Sequence, residues 1–358
     1  MSLEAVVLVG GKGTRLRPLT IDTPKPMLPL AGVPFLTHQL ARARAAGVEH
    51  VVLATSYRPE VFEAHFGDGA DLGLRLEYVT EVEPLGTGGG IRNVAGRLES
   101  DPDDPVLILN GDILSGHDIA AQLELHRSSG AAVTLHLVEV ADPRAFGCVP
   151  TDAAGRVAAF LEKMPDPVTT QVNAGCYVFA RRVIDAIPTG RPVSVERDTF
   201  PGLLAAGEVV TGYLDSSYWL DVGTPAAFVQ GSADVVRGLL ASPALPGTTG
   251  ESLVLGGAAV DPSAVLSGGT VVGPGARIEA EAQVQGSIIA AGAVVGPGTT
   301  IVDSIVAPHA SIGGRCSLRQ VVVADRARLG ERVELTAGAR VWPDIELPDV
   351  AIRFSSDA

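Results

Sequence analysis

Only three of the 27 basic residues in this 358-residue chain are lysines: Lys12, Lys25 and Lys163. Arginine carries the remaining positive charge. Lysine is a compact point charge on a flexible stem, whereas arginine is a planar fork. A lysine kept against such a bias suits a site that needs a point charge, and a phosphate oxygen is the usual partner. Lys12 and Lys25 share one N-terminal segment, Gly10-Gly11-Lys12-Gly13-Thr14-Arg15-Leu16-Arg17 followed by Pro24-Lys25-Pro26-Met27. Glycines directly after a strand expose backbone N–H groups, and such a nest holds phosphate. No glycine stands five positions ahead of Gly11-Lys12, so the segment is not a P-loop. The third glycine of the dinucleotide fingerprint is also missing. Lys163 follows Glu162 at the end of a predicted strand.

Two carboxylates add a second kind of chemistry. Asp112 follows the apolar run 106–109, and Asp221 lies in a short apolar-to-glycine transition. Mg²⁺ takes hard oxygen ligands, often one or two carboxylates together with substrate phosphates. Taken singly, an aspartate in such a place is more often a cap or turn residue.

These residues must be positioned by a larger framework. Apolar runs at 5–9, 51–54, 74–79, 106–109 and 133–140 predict strands, several buried on both faces. Helices are predicted over 34–46, 59–66 and 117–129. Such alternation implies an α/β fold, a Rossmann-like and mainly parallel sheet with ligands at the carboxyl ends of its strands. The loop 83–88 and the turns around it carry further glycines.

Near residue 240 the pattern changes. Ser242-Pro243-Ala244-Leu245-Pro246-Gly247 is rich in breakers, and beyond it Ile278, Val295, Ile312 and Leu329 recur every 17 residues, the last three each followed by glycine. Val260, Leu266, Val272, Ile278 and Val284 recur every six. Three six-residue rungs, one of them shortened, make one coil of a triangular parallel β-helix. The predicted division is 1–240 for the catalytic domain, 241–258 for a linker and 259–350 for the β-helix. This tail resembles the left-handed hexapeptide-repeat β-helices.

Composition narrows the function. A net charge of −14 excludes general affinity for nucleic acid or anionic membranes, so an anionic substrate needs a local positive pocket. Lys12, Arg15, Arg17 and Lys25 supply one. Cys148, Cys176 and Cys316 match no metal-ligand spacing and read as buried free thiols. The seven histidines are scattered. With no bilayer-length apolar run and no leader pattern, a soluble cytoplasmic protein is expected.

Together the motifs identify a family. GGKGTRLRPLT…PKPM resembles the signature of the sugar-nucleotide pyrophosphorylases, which transfer nucleotides to sugar 1-phosphates. Further blocks follow in that family's order: Pro84-Leu85-Gly86-Thr87-Gly88-Gly89, Asn110-Gly111-Asp112, Phe146-Gly147, Glu162-Lys163, Asn173-Ala174-Gly175 and Trp219-Leu220-Asp221-Val222-Gly223-Thr224. The β-helix tail and the 83–88 loop resemble the guanylyltransferase branch acting on mannose 1-phosphate.

The resemblance implies GTP and mannose 1-phosphate as substrates, Mg²⁺ as cofactor and GDP-mannose with pyrophosphate as products. It places Arg15 and Lys25 on the leaving phosphates, with backbone from Gly11, Gly13 and Thr14 around them. Asp112 and Asp221 become metal ligands, and Lys163 faces the sugar 1-phosphate. Glu162, Gly147 and Asn173 are assigned to sugar hydroxyls, Gly10, Gly86 and Thr87 to the base pocket, and Asn110 to substrate. Lys12 fits a solvent-side role as well as a phosphate contact. Met164-Pro165 after the Glu162-Lys163 pair departs from the family's usual lysine-proline order. The β-helix is expected to mediate homo-oligomerisation.

Three alternatives remain open. One is a thymidylyl- or uridylyltransferase for glucose 1-phosphate. Another is a noncatalytic regulatory subunit, although all five charged site residues are present. The third, an acyltransferase, would depend on His309, the β-helix's lone histidine.

Overall fold

The computed structural model describes residues 2–247 and 250–354, except for the side chains of 352–354. Thr248 and Thr249, within the expected linker, lie outside the described residues. The chain divides into two units. The first comprises Met1–Gly11 and Gln39–Trp219, the second Lys12–His38 and Leu220–Ala358.

The first unit is built on a nine-stranded sheet. Its strands in chain order are β1 (Leu3–Leu8), β2 (Val48–Thr55), β3 (Arg75–Thr80), β4 (Pro105–Asn110), β5 (Val133–Glu139), β6 (Gly147–Cys148), β7 (Leu161–Glu162), β8 (Gln171–Ala180) and β9 (Val210–Leu214). The spatial order is β7-β6-β8-β4-β1-β2-β3, and β5 pairs with both β8 and β9. Strands β4, β1, β2 and β3 are mutually parallel, as the continuous apolar runs imply. The pairing of β8 with β4 and β5 is antiparallel, which makes the sheet mixed. Val6, Val52, Ile108, Leu135, Tyr177 and Phe179 belong to its main core, all fully buried.

Helices α1 (Phe35–Ala45), α2 (Pro59–Phe66) and α4 (Ile119–Ser129) fall where periodicity puts them. Asp118 caps α4 by accepting from Ala121 N–H. Helix α3 (Gly86–Val94) corrects the reading of 83–88 as a loop, which its glycines suggested. Glycine costs about 1 kcal/mol per helical position relative to alanine, so tertiary contacts must offset it. Gly88 and Gly89 N–H both donate to Val193 O, at 2.8 and 3.1 Å. A Cβ on Gly88 would stand 3.0 Å from Val193 Cγ1, so the bare backbone is what lets the chain approach.

In the second unit three six-stranded parallel sheets form the faces of a β-helix, left-handed as the hexapeptide pattern implies. Coil-to-coil register follows the sequence arithmetic: Arg277 pairs with Val294, Val294 with Ser311 and Ser311 with Arg328, each 17 residues on. The first and last steps, Ala259 to Arg277 and Arg328 to Glu346, are 18. Ile278, Val295, Ile312 and Leu329 stack inside the prism with Val284, Ile301, Leu318 and Leu335. Strands begin at Ser252–Val254 and continue to Ile352–Phe354.

Candidate active site

The first unit supplies the sheet-edge residues. Asn110 ends β4, and Gly111 N–H donates to Leu8 O at the end of β1, 2.9 Å away. The chain therefore turns at the carboxyl edge and carries the half-buried Asp112 there. Gln39 on α1 braces this turn, its Nε2 donating to Asn110 O (2.8 Å) and Ile113 O (3.0 Å). Gln39 is a positioning residue absent from the predicted site, because a buried glutamine on a helix has no distinguishing pattern.

Asn173 lies where the pairing of β8 with β5 shifts register between Asn173 and Tyr177. Its Nδ2 donates to Tyr177 Oη at 2.8 Å, and its Oδ1 accepts from Gly175 N–H at 3.1 Å. A Cβ on Gly175 would meet Asn110 Nδ2 at 2.9 Å, so Asn110 and Asn173 converge on this bulge. Each side-chain amide keeps one further N–H for an incoming group. Beside the bulge, Trp219 Nε1 donates to Ala174 O (3.0 Å), and its ring meets Phe146 edge-to-face at 5.4 Å. This aromatic pair lies inside two of the motif blocks, yet nothing in their local pattern marks it out.

Gly147 on β6 pairs with Glu162 on β7. A Cβ at Gly147 would stand 2.8 Å from Glu162 Oε2 and 2.8 Å from the Phe160 ring, so only glycine leaves the carboxylate in place. Lys163 follows with φ 51°, and its Nζ is 3.4 Å from Glu162 Oε1. A left-handed lysine is uncommon and costs about 1 kcal/mol or more. Its N–H is tied to Phe146 O at 3.1 Å. The side chain is 63% exposed, which leaves the ammonium available to a phosphate.

At Thr87 the hydroxyl is already engaged within the protein. It donates to Glu196 Oε2 (2.8 Å) and accepts from Val195 N–H (2.9 Å). What Thr87 can offer a base is therefore backbone. Gly86 has φ 73°, and a Cβ there would stand 2.7 Å from Val193 O. Gly10 O accepts from Ser56 Oγ, while Gly11 has open space around its Cα.

The second unit holds the cationic part. Gly13 sits in the left-handed region at φ 57° and leads into a 3₁₀ turn at Thr14–Leu16. Thr20 Oγ1 donates to Gly13 O at 2.8 Å, which fixes the turn. Lys12 and Arg15 are exposed, whereas Lys25 is buried in the 3₁₀ turn Lys25–Met27. Desolvating a lysine is costly unless its charge is paired. Asp221 ends the strand Trp219–Asp221. A Cβ on Gly223 would stand 2.7 Å from Arg15 Nη2 and 2.9 Å from Asp221 Oδ1. Arg15 and Asp221 therefore meet over a glycine.

The donor set bears on the metal. Among the described residues no group of three or more His, Cys, Asp or Glu side chains could cage an ion. Half-buried aspartates such as Asp112 and Asp221 fit Mg²⁺, which keeps several waters and takes phosphate oxygens, and do not fit a metal needing an all-protein cage.

The chain matches known proteins over nearly its whole length. A nucleotidyl transferase model matches residues 4–238, and a GMPPB C-terminal domain model matches residues 248–355. The chain belongs to the nucleotidyl transferase family. It is 64% identical over 356 residues to a Mycobacterium tuberculosis (strain ATCC 25618 / H37Rv) protein named mannose-1-phosphate guanylyltransferase, covering 99% of this chain and 98% of that one. An Arabidopsis thaliana protein, mannose-1-phosphate guanylyltransferase 1, is 35% identical over 274 residues, or 76% of this chain and 75% of its own. Among solved structures of this nucleotidyl transferase fold, HddC from Yersinia pseudotuberculosis superposes with TM-score 0.55 at 26% identity. It covers 64% of this chain and 98% of its own.

His309 has no part in this constellation. It takes φ 59° at a β-helix corner, packed over Gly292. Cys148, Cys176 and Cys316 are all buried free thiols. Among the described residues no helix is long and apolar enough to cross a membrane.

Proposed function

We propose that the chain transfers GMP from GTP to mannose 1-phosphate, releasing pyrophosphate and forming GDP-mannose. The observation that carries this reading is 64% identity across 99% of the chain to the M. tuberculosis guanylyltransferase, with every charged motif residue present. A phosphate oxygen of the sugar attacks the α-phosphorus of GTP; the bond from that phosphorus to the β-bridging oxygen breaks, and its electron pair leaves with pyrophosphate. The nucleophile is already an anion, so no general base is needed. Catalysis consists of bringing two polyanions together and neutralising the leaving charge.

Each residue has a part in that scheme. Arg15 and Lys25 hold the leaving phosphates, with backbone N–H groups of Gly11, Gly13 and Thr14 beside them. Gly10, Gly86 and Thr87 line the base pocket through backbone, and Asn110 contacts substrate from the end of β4. Glu162 and Asn173 accept or donate to sugar hydroxyls, Gly147 gives them room, and Lys163 neutralises the sugar phosphate. Asp112 and Asp221 are the proposed Mg²⁺ ligands, and a bound ion there supplies charge neutralisation at the phosphates.

We further propose that residues 1–240 act as the catalytic domain; of the expected linker 241–258 and β-helix 259–350, the strand Ser252–Val254 already pairs with Thr270–Val272, so the β-helix starts inside the linker span. The enzyme is taken to be cytoplasmic and to self-associate through the β-helix, whose last coil exposes Trp342, Ile345 and Val350. Crossing GTP, dTTP, UTP, ATP and CTP with mannose and glucose 1-phosphates in a pyrophosphate-release assay tests base and sugar choice. Release confined to GTP with mannose 1-phosphate is expected. A preference for dTTP or UTP with glucose 1-phosphate would move the chain to a sister activity.

A further inference from the structure

Residues 12–38 carry the phosphate-loop signature, yet they pack with the C-terminal part of the chain. Several bonds account for this. Ala31 N–H donates to Ser232 Oγ at 3.0 Å, His38 Nδ1 lies 2.6 Å from Ser242 Oγ, and the Leu255 side chain packs on Gly32. A further contact to the cationic turn comes from the far end of the β-helix. Arg340 Nη1 donates to Arg17 O at 2.6 Å, across 323 residues of sequence.

Arg340 is placed for this by the coil arithmetic. It starts the strand Arg340–Val341, in register with Val322–Val323 on the preceding coil. Later on the same two coils, Arg326 binds Asp344 through both Nε and Nη2, at 2.7 and 2.8 Å. A second, independent sign of proximity comes from Asp22, whose charge acts on both Asp325 and Arg326. Arg17 and Asp22 therefore both lie near the coil that carries Arg340 and the one before it. A rigid stack, each of whose coils is held by its neighbours, makes a firm support for the short 3₁₀ turn at Thr14–Leu16.

We propose that Arg340 is a positioning residue for nucleotide binding: by holding the Arg17 carbonyl it fixes the Gly13–Arg17 turn that presents Arg15. The β-helix is then part of the nucleotide site's support as well as a scaffold for assembly. The inference rests on the guanylyltransferase reading for its kinetic arm alone. Arg340 is assigned no substrate contact, so its loss should act on the loop and spare the chemistry.

The test compares wild type, Arg340→Gln and Arg340→Lys in full-length protein by two readouts. One is steady-state kinetics with GTP and mannose 1-phosphate; the other is amide exchange of residues 12–22 without substrate. For Arg340→Gln we expect KM for GTP to rise about five- to tenfold, the scale of one ordinary hydrogen bond. Both kcat and KM for mannose 1-phosphate should stay within about twofold. Exchange in 12–22 should quicken while exchange within the β-helix does not change. Arg340→Lys, which retains one charged donor, should restore part of both effects. Unchanged exchange, or faster exchange with an unchanged KM for GTP, would overturn the proposal. If wild type shows no turnover, that counts against the guanylyltransferase reading, and the exchange rates alone then decide the positioning role.

Discussion

The guanidinium of Arg15 and the carboxylate of Asp221 share the space above Gly223, where a single added carbon would stand 2.7 Å from one and 2.9 Å from the other. Arg15 belongs to the signature turn and Asp221 to a block near the end of the catalytic segment, and a glycine is what lets them approach. Gly223→Ala should therefore displace Arg15 and lower kcat/KM about 10- to 100-fold, the penalty for misplacing a phosphate ligand by about 1 Å. The melting temperature should barely move, since the displaced group is an exposed side-chain end. Wild-type kinetics in Gly223→Ala would show that Arg15 does not need this geometry.

Asp112→Ala and Asp221→Ala should each lower turnover about 100-fold or more while leaving the fold intact by circular dichroism. Asn replacements keep the shape and an oxygen but lose the charge, so they separate metal binding from turn formation. Near-normal rates in either alanine variant would remove that aspartate from the metal site.

Gly147→Ala places a methyl group against Glu162 Oε2 and the Phe160 ring. The β6–β7 pair must give, and KM for mannose 1-phosphate should rise about tenfold with KM for GTP little changed. An equal rise in both constants would indicate general loosening of the sheet.

Stability should fall with acid well before the ordinary carboxylate range. Burial, with Arg42 nearby, lowers His117 to about 3; burial, with Arg127 and Arg182, lowers His126 to about 4. Burial also lowers His136 to about 2, helped by its stacked neighbour His117 at 3.7 Å, while Asp215 opposes the shift. These rings stay neutral when folded but take up protons below about pH 6.5 when unfolded, so folding stability declines as pH drops through that value. Glu4 adds a second phase. Burial would raise its pKa, but hydrogen bonds from His50 and from the Glu99 and Ser100 N–H groups prevail and hold it at about 2. Its share is lost as pH falls from 4.5 towards that value. Melting temperatures should begin to fall near about pH 6.5 and decline steadily with further acid. A flat profile down to about pH 4.5 would contradict the histidine assignment.

Much of this architecture is readable from residue pattern, for physical reasons. Strands β1, β2 and β4 are apolar on both faces because they are covered on both sides, so their runs stand out. The 17-residue repeat is visible because each coil must bury the same corner on the next. Helix α3 is hidden because its glycines argue against a helix until Val193 is known to lie against it. Strand β8 is masked because a bulge at 173–177 breaks its alternation. The Gln39 brace and the Arg340–Arg17 bond are pure tertiary contacts, and no local signal encodes them.

Guanylyl transfer itself is best followed with GTP labelled in its α-phosphate, supplied together with mannose 1-phosphate and Mg²⁺, the products being resolved by anion-exchange chromatography. The label should appear in GDP-mannose with one pyrophosphate released per transfer, and none should form without the sugar phosphate. Label remaining in GTP, or emerging as GMP or GDP regardless of mannose 1-phosphate, would show that the chain does not catalyse this transfer.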